Sequence, residues 1–224
     1  MILAPSTLLT PIGRSTRNES MESRELPELL SRLIAEGDFR RAEELLLEAR
    51  RKADAERDVR RLSYVLSELI ELYGLSDPPL WTKAEALSRE REQLITSAYS
   101  KLQTAMVLHH GLHDYSRAVP KLEEAISHAR VERDDRTVYT SLSLLGQAHL
   151  ELGHISEALA VLSELEEMAA TKGTFVVGDE TCFLENLKAR RLETGRVARL
   201  ASSLASVCRD PAFKERLGAL TIHG

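Results

Sequence analysis

The stretch LSLLGQAHLELGHISEALAVL, Leu142 to Leu162, decides the fold. Leu142, Leu145 and His149 fall three and four residues apart, so in a helix they share one face. Gly153 then permits the left-handed backbone that ends a helix. After it Ile155, Ala158 and Leu162 resume the same spacing, and Leu165 continues it. Two amphipathic helices joined by a tight turn fold back on each other, because each otherwise leaves its apolar stripe in water. Gly146 and Ala158 carry almost no side chain. The spacing therefore predicts a close backbone crossing there, with Ala158 facing Leu145 and Gly146.

The same stripe, break and stripe recurs on both sides. Leu26, Leu29, Leu30, Leu33 and Ile34 precede Gly37-Asp38, where glycine releases one helix and aspartate caps the next. Phe39, Ala42, Leu45, Leu46 and Ala49 follow. Leu62, Leu66, Leu69, Ile70 and Tyr73 end near Gly74. Asp77-Pro78 then predicts a cap with a first-turn proline, ahead of Leu80, Trp81, Ala84, Leu87 and Leu94. Leu102, Ala105, Met106 and His109 precede Gly111, and Asp114 opens a helix with Tyr115, Ala118, Leu122, Ala125 and Ile126. Pro120 lies early in that helix, where a missing N–H costs little. Leu184, Leu187 and Arg191 precede Gly195, followed by Val197, Leu200, Leu204 and Val207. Ten helices in five antiparallel pairs are expected from Leu26 to Val207. No stretch alternates apolar and polar residues as a sheet requires, and Thr174 to Val177 reads as a loop between glycines.

Leu26, Leu66, Leu102, Leu142 and Leu184 open the successive units, at intervals of 40, 36, 40 and 42 residues. Self-similarity at such a period marks a solenoid, because one helix pair cannot bury both faces and stacked pairs can. Leu142, Leu145, Gly146, His149, Gly153, Ala158, Leu162 and Ala170 resemble the tetratricopeptide pattern. The units around Gly37 to Ala49 and Asp114 to Ala125 are similar to it in their second halves. The second unit departs with Pro78-Pro79 and no turn glycine. The fifth has Leu200 where alanine is usual. The periods exceed the family's, and the extra residues fall after the second helix, as in Val131 to Arg136. The resemblance implies an all-α solenoid of about five antiparallel helix pairs, wound as a right-handed superhelix. It covers residues 23–210, after a leader at 1–22 and before a capping helix or tail at 211–224.

Composition agrees. The 224 residues are 43% hydrophobic and 29% charged but only 4% aromatic, which suits helices packed through Leu and Ala. The net charge of −5 argues against a general nucleic-acid binder. No apolar run reaches membrane-spanning length. Cys182 and Cys208 are too few for a disulfide framework and read as free thiols in a reducing cytoplasm. Met1 to Ser20, with Pro5, Pro11 and Gly13, offers little periodicity to offset ordering entropy and reads as a disordered leader before Met21. Arg14 and Arg17, with no acid before Glu19, leave an organelle transit peptide as the alternative.

In tetratricopeptide proteins the first helices of the pairs line a concave groove. Carried over, the resemblance puts Tyr64, Ser67 and Glu71 on that wall from the second unit. The third gives Ser100, Gln103, Val107 and His110, the fourth Thr140, Ser143, Gln147 and Glu151, and the fifth Glu185, Ala189 and Glu193. This polar wall with acidic ends suits an extended peptide or a partner protein. The Lys, Asn and Arg clamp with which one subgroup grips chaperone tails is absent.

Other chemistries have weaker signals. His109 and His113 stand one helical turn apart beside His110, yet a tight zinc site needs further ligands and a second shell, so they read as packing residues. Arg40 to Arg61 interleaves Glu43, Glu44, Glu48, Asp54, Glu56 and Asp58, the pattern of a solvated, salt-bridged face. Lys188, Arg190, Arg191, Arg196 and Arg199 have only Glu193 among them and offer an alternative: a nucleic-acid or signalling adaptor. No phosphate loop or nucleophile elbow appears, and a helical metal protein or enzyme is the weakest reading. A binding scaffold or regulatory module is expected, with no cofactor and no catalysis. Self-association into a homo-oligomer is compatible with it.

Overall fold

The computed structural model describes residues 21–172 and 178–221, with side chains from Leu26 onward. Residues 1–20 of the expected leader and the Thr174 to Val177 loop lie outside the described residues, while Met21 and Glu22, counted with the leader, open α1. Among those described every element is helical. Two compact units divide the chain at Leu72 and Tyr73.

The first unit contains α1 (Met21–Ala35), α2 (Phe39–Glu56) and most of α3 (Val59–Leu75). Gly37, at φ 75°, turns α1 into α2, and the Asp38 carboxylate accepts the Arg41 N–H at 3.1 Å. The next break has no glycine. Arg57 adopts the left-handed conformation and Asp58 accepts the Arg61 N–H at 2.9 Å. Leu30, Leu33, Ala42, Leu46, Leu62, Leu66 and Leu69 form the core, all buried as their spacing requires.

The second unit runs through α4 (Trp81–Leu94), α5 (Ala98–Met106) with a π turn (Val107–Gly111), α6 (Tyr115–Glu132) and α7 (Asp135–Glu151). It continues through α8 (Ile155–Lys172), α9 (Gly178–Ala189), α10 (Thr194–Val207) and α11 (Pro211–Thr221). From α4 to α8 and from α9 to α11 each helix packs on the next, and α5, α7, α9 and α11 also contact one another in order. The odd-numbered helices thus form one layer and the even-numbered helices the other, the arrangement of stacked pairs. The ten expected helices are present between Leu26 and Val207, and α11 follows them.

Three local expectations are corrected. Asp77 does not cap α4. The Asp77–Pro78 peptide is cis, Leu80 precedes the helix, and Ser76 closes the loop by donating to the Tyr73 and Pro78 carbonyls at 2.9 and 3.1 Å. Pro120 sits in the second turn of α6, past the first-turn positions whose N–H groups lack helical partners. The extra residues near Val131 to Arg136 lengthen helices instead of forming a loop. Arg133 takes the left-handed conformation directly after α6, and Asp134 caps α7 by accepting the Thr137 N–H at 3.1 Å. Glu-Arg-Asp occurs at 56–58 and again at 132–134, and both copies break a helix in this way.

Glycines meet rings between helices. A Cβ on Gly146 would stand 2.5 Å from the buried Phe183 ring of α9. Trp81 covers Gly74 and Gly111 in the same fashion, and Phe213 of α11 lies 3.0 Å from the corresponding point on Gly178. Ala158 is fully buried, and the open side of Gly146 is filled by the Phe183 ring of α9. The small residue therefore sets the spacing between pairs.

Candidate functional site

The expected groove positions separate into three groups. On α3, Tyr64 and Glu71 are exposed and Ser67 is buried. Partial burial of its ring, with Glu68 beside it, pushes the Tyr64 hydroxyl above its ordinary range. On α5, Ser100 completes a capping box with Ser97, Gln103 accepts from Arg91 at 3.0 Å, and Val107 is buried. On α7, Thr140, Ser143 and Gln147 are all buried, because α5, α6, α8 and α9 surround the helix from Thr137 to Leu150.

The start of α9 closes the wall at this point. Gln147 Nε2 donates to the Asp179 carbonyl at 2.6 Å, and His110 Nε2 stands 3.1 Å from the Asp179 carboxylate. The Tyr139 hydroxyl donates to the buried Glu180 carboxylate. His109 lies beneath, its Nδ1 3.3 Å from that of His110. Burial, with His110 next to it, drives its pKa down to about 3. His113 has left the helix, at φ 52°, and meets the Tyr115 hydroxyl at 3.2 Å. The histidines thus serve packing and hydrogen bonding. Among the described residues no three His, Cys, Asp or Glu side chains are grouped to hold a metal ion.

The remaining positions sit in ion pairs or at the exposed ends. Glu151 accepts from Arg190 at 2.9 Å, and Glu185 takes Arg216 of α11 at 2.8 and 2.6 Å. Ala189 and Glu193 are exposed. The basic run is largely occupied as well. Lys188 donates to the Ala219 carbonyl at 2.8 Å, Arg190 to the Leu150 carbonyl at 2.7 Å, and Arg196 to Glu166 at 2.9 Å. These cations hold neighbouring helices together, which removes most of the patch from any acidic partner.

An open feature lies on the other layer. Between α6 and α8 runs a furrow of two adjoining lobes, about 450 and 540 Å³ in volume. Its floor is one stripe of α7: Val138, Leu142 and Leu145, flanked by Ile126, Val161 and Met168. The Arg130–Glu164 ion pair crosses it where the lobes meet. Elsewhere in this layer adjacent helices are laced together, by Glu85–Arg117 and Glu92–Lys121 across α4 and α6 and by Arg196–Glu166 across α8 and α10.

His149 continues the α7 stripe, four residues past Leu145. It is buried, and its Nδ1 meets no hydrogen-bond partner. Burial, with His154 adding to it, pushes its pKa below the ordinary range, while Glu157 of α8 and Glu123 of α6 act the other way. Both carboxylates are exposed.

None of the furrow's residues belongs to the wall expected from sequence, because that wall takes other positions of α7 and none of α6 or α8. A signal existed. Arg130 and Glu164, which pair across α6 and α8, stand 34 residues apart, close to one repeat.

No family model matches the sequence, and no curated protein does. Among solved structures, the crystal structure of BtubC (BKLC) from P. vanneervenii is similar over 88% of this chain and 76% of that one, with a TM-score of 0.58 and 19% identity. At that identity the likeness is one of fold, and it places the chain among helical-repeat architectures. No described helix is long and apolar enough to cross a membrane.

Proposed function

We propose that this chain is a protein-interaction module of the tetratricopeptide-like kind, which works by holding an extended segment of a partner and not by catalysis. The observation that carries this reading is the α6–α8 furrow. It has an apolar floor, charged rims and enough room for side chains of a bound segment. Stacked helix pairs suit such a role because their neighbour contacts fix the rims while leaving the gap between outer helices open. The rim charges supply orientation and much of the contact, because the floor side chains Val138, Leu142 and Leu145 are only 2–7 % exposed. The two free thiols, Cys182 and Cys208, suit work in a reducing compartment such as the cytoplasm.

The exposed Tyr64 and Glu71 keep a second surface in view, on α3 of the first unit. A peptide library displayed against the immobilised full chain separates the two. Ala160→Trp places a ring over the first lobe from an exposed position, and Tyr64→Ala removes the α3 side chain. Selected peptides are expected to lose binding to Ala160→Trp and to keep it with Tyr64→Ala. The opposite pattern, with both variants melting like the parent, moves the binding surface to α3.

A further inference from the structure

We propose that the Arg130–Glu164 ion pair is a strap that holds the α6–α8 furrow nearly shut, and that a bound segment reaches the apolar floor only when the strap is released. This rests on the reading of the furrow as a binding surface and names how access to it is controlled.

Arg130 of α6 and Glu164 of α8 line both lobes, so their pair spans the furrow at its waist. Beneath it Val138, Leu142, Leu145 and Met168 are only 2–7% exposed. A segment laid across the furrow in this state touches rims and strap and little of the floor.

The gap between α6 and α8 is also the least tied of the three outer gaps in its unit. Each of the two helices packs along α7, but they are not packed closely on one another. Among the described residues Arg130–Glu164 is the one hydrogen bond or ion pair that joins them. The gap between α4 and α6 has two such ties, Glu85–Arg117 and Glu92–Lys121. Between α8 and α10, Arg196 holds both Ser163 and Glu166. Lys172–Asp135 fastens the end of α8 to α7 and does not reach α6. Both strap side chains are partly exposed, so the pair is as weak as a surface ion pair and opens readily. Opening wets apolar surface, which costs free energy that a partner's apolar side chain recovers by covering it.

The test reads the floor through Met168, which lines the second lobe. Its sulfur takes one oxygen atom from hydrogen peroxide, which leaves as water, at a rate set by how often the side chain is uncovered. Full-length parent, Arg130→Gln, Glu164→Gln and the charge-exchanged Arg130→Glu/Glu164→Arg are oxidised in parallel. Mass spectrometry follows the Met168 sulfoxide, and amide exchange in α10 serves as the reference for global opening. Met168 is expected to react roughly two- to five-fold faster in either single variant, the range a surface ion pair allows, with α10 unchanged. The charge-exchanged variant is expected to return toward the parent rate, and high salt to speed Met168 in the parent but not in the single variants. Peptides selected from the library are expected to bind both single variants tighter by about the same factor and to lose binding to Ala160→Trp.

An unchanged Met168 rate in both single variants overturns the strap, and if Ala160→Trp still blocks the peptides the furrow reading stands without it. Faster Met168 together with faster α10 exchange also overturns the strap, because the pair then only stabilises the array. Unchanged peptide affinity in both single variants, despite a faster Met168, overturns the control of access. Peptide binding indifferent to Ala160→Trp overturns the furrow as the binding surface and the strap's role with it.

Discussion

The Phe183 ring lies across Gly146, so close that a Cβ on the glycine would stand 2.5 Å from the ring edge. Phe183 is fully buried and has no room to swing aside. Two effects compete in Gly146→Ala. Helix propensity favours alanine by about 1 kcal/mol. Overpacking against a fixed ring costs typically 1–3 kcal/mol. The expected outcome is a net loss of stability, partly restored by adding Phe183→Leu. In Gly218→Ala, inside α11, no atom stands within 4 Å of the new Cβ, so only the propensity gain of about 0.5–1 kcal/mol remains. Urea melts of the three variants check this, and a Gly146→Ala protein as stable as Gly218→Ala contradicts the account.

Tyr139 and Glu180 form the buried contact that seats the first turn of α9 on α7. Tyr139→Phe removes the donor and leaves the carboxylate, fully enclosed by protein, short of one hydrogen bond. An unsatisfied buried group of this kind costs about 1–3 kcal/mol. Amide exchange in α9 is expected to accelerate more than in α6, because the lost bond belongs to the α7–α9 interface. Uniform acceleration in both helices would count against this placement.

His109 gives stability a pH dependence whose sign follows from burial. The folded pKa is lowered to about 3 from the ordinary 6.5, so between those values the unfolded chain binds a proton that the folded chain does not. Stability is therefore retained at neutral pH and falls as the pH drops below about 6.5, by at most about 2 kcal/mol at pH 5 from this group. His149 titrates in the same direction. Below this window the carboxylates take over. Burial tends to raise Glu92, but Lys121 and Lys101 lower it below its ordinary range, and Lys101, opposed by partial burial, lowers Glu124. Their contribution is present above the ordinary carboxylate range and is lost as the pH falls through their lowered values. Urea midpoints at pH 7 and pH 5 are expected to differ less in His109→Gln than in the parent.

Arg190 and Arg199 look alike in the sequence and are expected to behave differently. Arg190 donates to the Leu150 carbonyl at the end of α7 and to Glu151. Arg199 is exposed. Arg190→Ala is expected to cost about 1 kcal/mol, the net value of a charge-assisted cap, and Arg199→Ala within about 0.5 kcal/mol of nothing. Equal melting temperatures for the two variants would restore the basic run as an open surface.

Much of the architecture was legible because it is local. The apolar spacing from Leu26 to Val207 gave the ten helices, and Gly37-Asp38, Asp114 and Gly153 marked breaks that the backbone honours. The left-handed residues that make the breaks at Arg57-Asp58 and Arg133-Asp134 are not legible in the spacing, because arginine is not a residue one expects in that conformation. The repeated Glu-Arg-Asp would have disclosed both. Trp81 was read as one more member of a stripe, although its ring fills the space above Gly74 and Gly111. A ring and its glycines are separated in sequence, and helical periodicity carries no information about that pairing.

The sequence by itself determined which residues form helices, where most of them stop and which stripe of each turns inward. These follow from backbone sterics, capping and the removal of apolar side chains from water. Only the tertiary structure decided which polar faces remain open. Thr140, Ser143 and Gln147 have the composition of a solvated groove wall, yet α9 lies over them and the Asp179 carbonyl accepts the Gln147 amide. Val138, Leu142 and Leu145 form an ordinary inward stripe, yet a gap above them between α6 and α8 leaves a furrow. Whether a face meets water or another helix depends on a neighbour about one repeat or more away, and the spacing of residues within a single helix does not record where that neighbour comes to rest.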